Sequence, residues 1–305
     1  MLHDPVGAQR PLPADRPESG DADPASYHWF TGDGMLHGLA LSDGKVHWYR
    51  NRWIAPQANG TARGTMPAPG PRHGSNDTVN TNVVDLAGRI FALVEGGSYP
   101  VELSDMLDQQ RYDDFGGSLA GSANAFDLPD GRVERDVCAY PTMFACARGG
   151  PDATSRGLER WTLDPATGTT AIRTVEATPQ EFPRVDERRF GQAYRYAYTM
   201  GVQADRRFQS AGRLYKHDLV EDCRQVHDFG AGRHPGWFAF VPAHEDAGED
   251  GVWLIGLVID EPSDTTELMI LDAGNFEGSP IASVRLPQRI PPGFHGNWIN
   301  GGGAQ

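Results

Sequence analysis

The sequence has little positive charge, few cysteines and no long hydrophobic run. Its 305 residues include 27 Lys and Arg against 41 Asp and Glu, which gives a formal net charge of −14. This balance argues against nucleic acid or an anionic membrane as the main partner, because both surfaces require clustered positive charge. No apolar run approaches the ~20 residues of a transmembrane helix, and the N-terminus lacks the apolar core of a signal peptide. We therefore expect a cytoplasmic protein without a transmembrane segment.

Local metal and disulfide motifs are also missing. The three cysteines, Cys138, Cys146 and Cys223, have no CxxC spacing, which predicts reduced and mostly buried thiols. The ten histidines are scattered, and no pair has HxH or HExxH spacing. Short-range metal sites are thereby excluded. A propeller can still bring distant histidines together on its axis, which sequence spacing does not reveal.

Helical periodicity is scarce, and only residues 101–111 offer a plausible short helix. What the chain repeats is a short run of β-formers, a tight turn and a second run, with Asp43-Gly44 as the strongest turn signal. The predicted hairpins are 35–42 with 45–53, 79–86 with 89–95, 122–128 with 132–140, 158–163 with 169–176, 193–202 with 212–219, 237–242 with 252–260, and 266–271 with 281–286. Together with 37 glycines and 23 prolines, they predict an antiparallel all-β protein. A large sandwich, a pair of barrels and a propeller remain open, and the recurrence of hairpins at blade-like spacing favours the propeller.

Seven short strings follow one another along the chain in an order typical of one family. They are YHWFTGDGMLH at 27–37, YRNRW at 49–53, NTNVV at 80–84, ALVEGG at 92–97, YDDFGG at 112–117, EFPRVD at 181–186 and GFHGNW at 293–298. Together they resemble the carotenoid cleavage oxygenase family, which includes the apocarotenoid-cleaving and stilbene-cleaving dioxygenases. The resemblance covers nearly all of residues 27–300. We expect an extended arm at 1–26, a single propeller domain at 27–300 and a short tail at 301–305.

The resemblance implies a seven-bladed β-propeller that holds Fe(II) on its axis with four histidines. Glutamates that accept hydrogen bonds from the outer imidazole nitrogens orient these ligands. The metal activates O2, which splits an alkene double bond of an apolar substrate into two carbonyl products. Residue by residue, His295 matches the last iron ligand, and Glu95 and Glu181 match two of the orienting glutamates. Trp29, Phe30 and Phe294 are the aromatic residues expected to line the substrate site.

Three iron ligands of the family have no counterpart in this sequence. The segments that carry the family's first two iron-binding histidines are absent after the FGG string. Gly121 occupies the position of the third iron-binding histidine, and Trp237 occupies the position of the third orienting glutamate. His227, within His-Asp-Phe, imitates a ligand motif but lies too late in the family order. The sequence therefore indicates a member that is shortened at its start and by an internal gap near 119–123, with about two blades' worth of sequence missing. Recruitment of His217, His234 or His244 has no support in the sequence.

Three functions follow from this reading. The first is an Fe(II)-dependent dioxygenase. Many stilbene-cleaving members carry Lys at the position of Ser118, so the serine favours apocarotenoid-like polyenes over stilbenes as the substrate class. The second is a catalytically silent propeller that binds an apolar ligand. The third is a non-functional fragment. Loss of blades would expose strand edges and promote self-association, unless a smaller ring closes again.

Overall fold

The computed structural model describes most of the strands of this protein. It covers residues 34–54, 68–71, 79, 81–86, 88–93, 99–108, 110–113, 124–142, 153–204, 210–290, 292–293 and 295–299, together with the backbone of residues 2–7. These residues belong to two compact units, one formed by residues 1–120 and 291–305 and the other by residues 121–290. Within the described ranges, no helix is long and apolar enough to span a membrane.

The first unit contains two four-stranded antiparallel sheets. Sheet A consists, in spatial order, of β20 (Asn297–Trp298), β1 (Leu2–Gly7), β2 (Gly34–Ser42) and β3 (Lys45–Trp53). Sheet B consists of β4 (Asn82–Leu86), β5 (Arg89–Leu93), β6 (Val101–Leu103) and β7 (Gln110–Tyr112). Sheet A joins strands from both ends of the chain, because Leu2 is paired with Trp298. The core of this unit is built on buried side chains such as Leu36, Ile54 and Tyr112.

The second unit contains three sheets of the same kind. Sheet C consists of β11 (Thr169–Glu176), β10 (Gly157–Asp164), β9 (Val133–Ala139) and β8 (Asn124–Asp127). Sheet D consists of β12 (Gln180–Arg184), β13 (Tyr196–Val202), β14 (Ser210–Asp218) and β15 (Cys223–Asp228). Sheet E consists of β16 (Arg233–Pro242), β17 (Val252–Asp260), β18 (Thr265–Asp272) and β19 (Ala282–Arg285). Two single turns of 3-10 helix, Glu187–Arg189 and Ala273–Asn275, lie between strands.

All seven predicted hairpins are present as antiparallel strand pairs. The turn chemistry explains this agreement. Asp43 and Gly44 both have positive φ, at 51° and 68°, which matches the two-residue turn whose twist suits a hairpin. In the described part of the chain the five sheets each have four antiparallel strands, the usual number in a propeller blade.

The predicted helix at 101–111 is wrong. Residues 101–103 and 110–112 are the strands β6 and β7 of sheet B, which pair antiparallel. Val101 and Leu103 are buried and flank the outward Glu102, which forms an ion pair with Arg89 of the neighbouring strand. This alternation has the period of a strand, but three residues are too few to display it in the sequence.

The larger of the two apolar clusters described in the second unit lies between sheets D and E. It is built on large apolar side chains, among which Tyr198 makes edge-on ring contacts with Phe240 and Phe276 at centroid distances of 4.9 and 5.9 Å. Such pairs add to the stabilisation from burial itself. Of the described cysteines, Cys138 is buried, as predicted, whereas Cys223 is exposed, and neither forms a disulfide.

Candidate functional site

Glu181 lies at an irregular point of β12. The register of β12 against β13 shifts between Glu181 and Arg184, and Phe182 has a positive φ of 52°. A β-bulge of this kind re-aims the side chains next to it. The Glu181 carboxylate accepts a hydrogen bond from the backbone N–H of Phe182 at 3.0 Å.

The second partner of the Glu181 carboxylate is a phenol. Its side chain forms a hydrogen bond with Tyr140, and burial together with the negative charge of Glu181 raises the pKa of Tyr140 far above its usual value. Burial and Glu181 also raise the pKa of the Cys138 thiol. The resemblance implies that the glutamate at this position orients a metal-binding histidine. In this chain the Glu181 carboxylate lies near Cys138 of β9 and Tyr140, the residue that follows β9.

Trp237 lies at the matching irregularity of sheet E. The register of β16 against β17 shifts between Pro235 and Phe238. The Arg184 guanidinium stacks over the indole of Trp237 at 4.2 Å, and the ring of Phe182 lies 6.1 Å from it. The structure therefore brings together EFPRVD and the segment around Trp237, which are about fifty residues apart in the sequence.

A small, partly open cavity is present next to this cluster. Its volume is about 20 Å³, which is room for one or two water molecules and far too small for a polyene. The lining residues come from β12, β13, β14, β16 and β17: Phe182, Arg184, Tyr198, Thr199, Met200, Leu214, Gly236, Trp237, Phe238 and Leu254.

His295, the predicted iron ligand, belongs to the first unit. It is half-buried, its Nδ1 is shielded from solvent, and it lies two residues before β20. Its role as a metal ligand stays a prediction, as does the orienting role of Glu181. Glu95, Trp29, Phe30, Phe294, Ser118 and Gly121 lie outside the described residues.

The other buried histidines are held in local hydrogen bonds. His37 Nδ1 lies 2.7 Å from the Tyr49 hydroxyl, and His227 Nδ1 lies 2.8 Å from the carbonyl oxygen of Phe276. His217 Nε2 contacts side-chain oxygens of sheet D, at 2.8 Å in Gln180. These contacts hold His37 in sheet A and His217 in sheet D, and they link His227 of sheet D to the backbone that follows β18.

These histidines do not assemble into a metal-binding set. His234 lies near Glu261 at 3.4 Å, and His244 is exposed in the turn between β16 and β17. Among the residues that the structure describes, no three His, Cys, Asp or Glu side chains are grouped as metal ligands would be. Even a minimal non-haem iron site needs two histidines and a carboxylate. The described donor groups therefore do not fit the Fe(II) centre that the resemblance implies.

Arg184 and Tyr140 are the site residues that the sequence did not single out. Arg184 was visible only as part of the EFPRVD string, and Tyr140 only as the end of a predicted strand. A possible signal for Arg184 is its position: an arginine next to proline, inside a run that otherwise reads as a buried strand.

Comparison with known proteins agrees with these observations. A sequence model of the RPE65 family, described as retinal pigment epithelial membrane protein, matches residues 11–123 and 121–300. The carotenoid cleavage oxygenase of Mycobacterium tuberculosis is 27% identical, over 91% of this chain and 89% of that protein. The apocarotenoid-15,15'-oxygenase of Synechocystis is 30% identical over 58% of this chain and 37% of that protein. Lignostilbene-alpha,beta-dioxygenase isozyme III of Sphingomonas paucimobilis is 29% identical over 59% of this chain and 39% of that protein.

Solved structures show the same fold. A point mutant of the Synechocystis apocarotenoid oxygenase superposes with a TM-score of 0.75 at 18% identity, covering 98% of this chain and 92% of that one. A chimera of that enzyme with RPE65 gives a TM-score of 0.76 at 19% identity. The predicted all-β propeller of the carotenoid oxygenase type is therefore confirmed.

The alignments also locate a large internal difference. The alignment with the mycobacterial protein runs over 446 positions, whereas this chain has 305 residues, so at least 446 less 305, or 141, positions have no counterpart here. The two segments of the family match meet at 121–123, next to the boundary between the two units at 120/121. Sheets C, D and E each span about fifty residues, so a difference of this size is at least two sheets' worth of chain. The chain belongs to the RPE65 family of carotenoid cleavage oxygenases, as an internally shortened member.

Proposed function

We propose that this fold serves oxidative cleavage of an alkene double bond by a non-haem Fe(II) centre, and that this chain, without the missing segment, does not complete the centre. The names of the relatives support the reaction class. The substrate we favour is an apocarotenoid-like polyene, with a stilbene as the alternative. O2 is the co-substrate in either case.

One observation carries the second half of the proposal. Among the residues that the structure describes, no three His, Cys, Asp or Glu side chains are grouped as metal ligands would be, and Glu181 is hydrogen-bonded to Tyr140. His295 is the single residue to which the family's ligand role can be carried over, and one imidazole is too few to retain Fe(II).

A silent ligand-binding propeller is the second candidate. The retention of the fold without a grouped set of metal ligands among the described residues supports it. In that case an apolar ligand should stabilise the iron-free protein against heat.

The test compares the chain with a version in which the corresponding segment of the mycobacterial protein is inserted between residues 119 and 123. Both proteins are loaded with Fe(II) under nitrogen, desalted and analysed for metal. They are then exposed to air with an apocarotenal or a hydroxystilbene. We expect stoichiometric iron and carbonyl products from the extended protein, and neither from the original chain. His295→Ala in the extended protein is the control and should lose both.

Two outcomes would count against the proposal. Stoichiometric iron and turnover in the original chain would show that a complete centre forms without the missing segment. Cleavage of hydroxystilbenes but of no apocarotenoid by the extended protein would overturn the substrate preference.

A further inference from the structure

Sheet C has one buried face and one face that is open to solvent. On the buried face, Phe126, Cys138 and Leu158 belong to one core cluster with side chains of sheet D, among them Ala197. Residues directly opposite each other in an antiparallel pair point to the same side of a sheet, and successive residues of a strand alternate between its sides. The register of β8 to β11 therefore assigns the remaining side chains to the second face, called the open face below.

The open face of sheet C carries a group of apolar side chains. They are Val133 and Val137 of β9, Trp161 and Leu163 of β10, and Ile172 of β11. The first four are half-buried, and Ile172 is 54% exposed. A contiguous apolar patch on a sheet is typical of a surface that another layer covers.

The polar groups at the centre of the open face leave one cation available. Trp161 Nε1 donates to Glu159 Oε2 at 2.8 Å, and Arg156 pairs with the same carboxylate oxygen at 3.0 Å. Arg135 lies directly across from Trp161 and is half-buried. In the described part of the chain, no hydrogen bond or ion pair engages its guanidinium. The indole is thus fixed by its own N–H, whereas the guanidinium beside it is free to meet a partner.

The missing segment of the chain explains why this face is open. Sheets follow one another around a propeller in chain order, so each sheet packs between the one before it and the one after it. Sheet D follows sheet C and packs on the buried face. The junction at 119–123 directly precedes β8, the first strand of sheet C. A sheet formed by the missing positions would therefore pack on the open face.

We propose that a second copy of this chain covers the open face, in a two-fold dimer whose axis runs parallel to the strands between β9 and β10. Rotation about this axis places each residue of β9 against the β10 residue of the partner copy that shares its register position. Val133 then meets the partner's Leu163, and Arg135 meets the partner's Trp161, twice in each dimer. A guanidinium over an indole is a favourable cation–π contact, and Glu159 beside the indole adds a charge of opposite sign.

The size of the open face indicates how tightly two copies associate. Four strands of up to eight residues cover about 19 Å by 25 Å, or about 500 Å² on each copy. The total is at the lower limit for a specific protein interface. We therefore expect a reversible dimer with a Kd of about 1–100 μM. The interface is independent of the alkene cleavage proposed above.

Sedimentation velocity on the full chain tests the dimer and the surface that forms it. Between about 1 and 200 μM, the protein should pass from monomer to dimer. Ile172→Lys places a charge in the interface and should raise the Kd at least about tenfold. Ile281→Lys is the matched control, because Ile281 is 55% exposed but lies in sheet E, and it should leave the Kd unchanged. A monomer throughout this range, or equal Kd values for the two variants, overturns the proposal.

Two charge variants test the arrangement of the copies. R135E and W161R should each be monomeric, because each homodimer would set two unfavourable pairs against one another. An equimolar mixture should dimerise again, because it contains one original Arg135–Trp161 contact and one new ion pair between the substituted positions. Thermal melts show whether both variants are folded, and the two isoleucine variants decide the question if they are not. A mixture of folded variants that stays monomeric overturns the two-fold arrangement.

Discussion

The Nε2 atom of His217 lies 2.8 Å from the side-chain oxygen of Gln180, and both residues are buried in sheet D. The Thr199 hydroxyl completes the group, at 3.0 Å from the same nitrogen. Burial lowers the pKa of His217 to about 4, and nearby Glu176 opposes this only in part. Burial therefore keeps this imidazole neutral in the folded protein at neutral pH.

This histidine should make the protein acid-labile in a defined range. The pKa of His217 is about 4 in the folded protein and 6.5 in the unfolded chain. Between these two pH values the unfolded chain binds a proton at His217 that the folded protein does not bind. Above pH 6.5 this histidine does not lower the free energy of unfolding. As the pH falls from 6.5 to about 4, the free energy of unfolding decreases by about 3 kcal/mol. Urea unfolding between pH 7 and 4 measures this slope.

His217→Gln should reduce that slope by about one proton. His37→Gln should remove a similar contribution, because burial also lowers the pKa of His37 to about 4. An unchanged slope in His217→Gln would mean that this imidazole is protonated without cost in the folded state.

The ion pair between Asp136 and Arg160 should be among the most valuable in the second unit. Arg160 donates to both carboxylate oxygens of Asp136, at 2.9 and 2.7 Å, and the Tyr194 hydroxyl donates to the same carboxylate. Asp136→Ala leaves a largely buried guanidinium without its main partner and should cost about 3 kcal/mol in urea unfolding. Arg213→Ala, which removes the half-exposed pair with Asp228, is the control and should cost at most about 1 kcal/mol. Similar losses from both variants would contradict this ranking.

Gly157 should tolerate no side chain. Its φ is +89°, and a Cβ there would run into the backbone oxygen of Glu176. Gly157→Ala should therefore destabilise the protein by about 2–4 kcal/mol, because neither strand can yield without breaking the sheet. Gly168→Ala is the matched control: φ is +69°, no atom lies within 4 Å, and about 1 kcal/mol is expected. Thermal melts of the two variants should differ by several degrees, and coincident melts would refute the steric argument.

The sequence predicted the local part of this fold well. Each hairpin was visible because its turn residues lie between its two strands, as Asp43 and Gly44 do. The helix prediction at 101–111 failed because β6 and β7 have three residues each, which is too short for a period to show. The pairing of β1 with β20 was not predictable, since it joins residues nearly three hundred positions apart.

The candidate site was predictable only through the family. Motif matching gave His295, Glu181 and the anomalous Trp237, but not the side chain that each of them contacts. The stacking of Arg184 on Trp237 depends on two bulges in neighbouring sheets, and a bulge of one residue leaves no clear trace in a hydrophobic pattern. The partner of Glu181 likewise comes from a different sheet.

The position of the missing segment has a consequence for how such a chain can arise. Sheet B ends at Tyr112 and sheet C begins at Asn124, so the junction at 119–123 lies between two sheets that each have four strands. Among the described strands each backbone ladder lies within one sheet, and the strands on either side of the junction, β7 and β8, are paired with β6 and β9. A deletion in the gene that removes complete sheets leaves the strand pairing of each remaining sheet intact. A deletion that ended inside a sheet would leave strands without their partners and would be far more damaging than the loss of whole sheets.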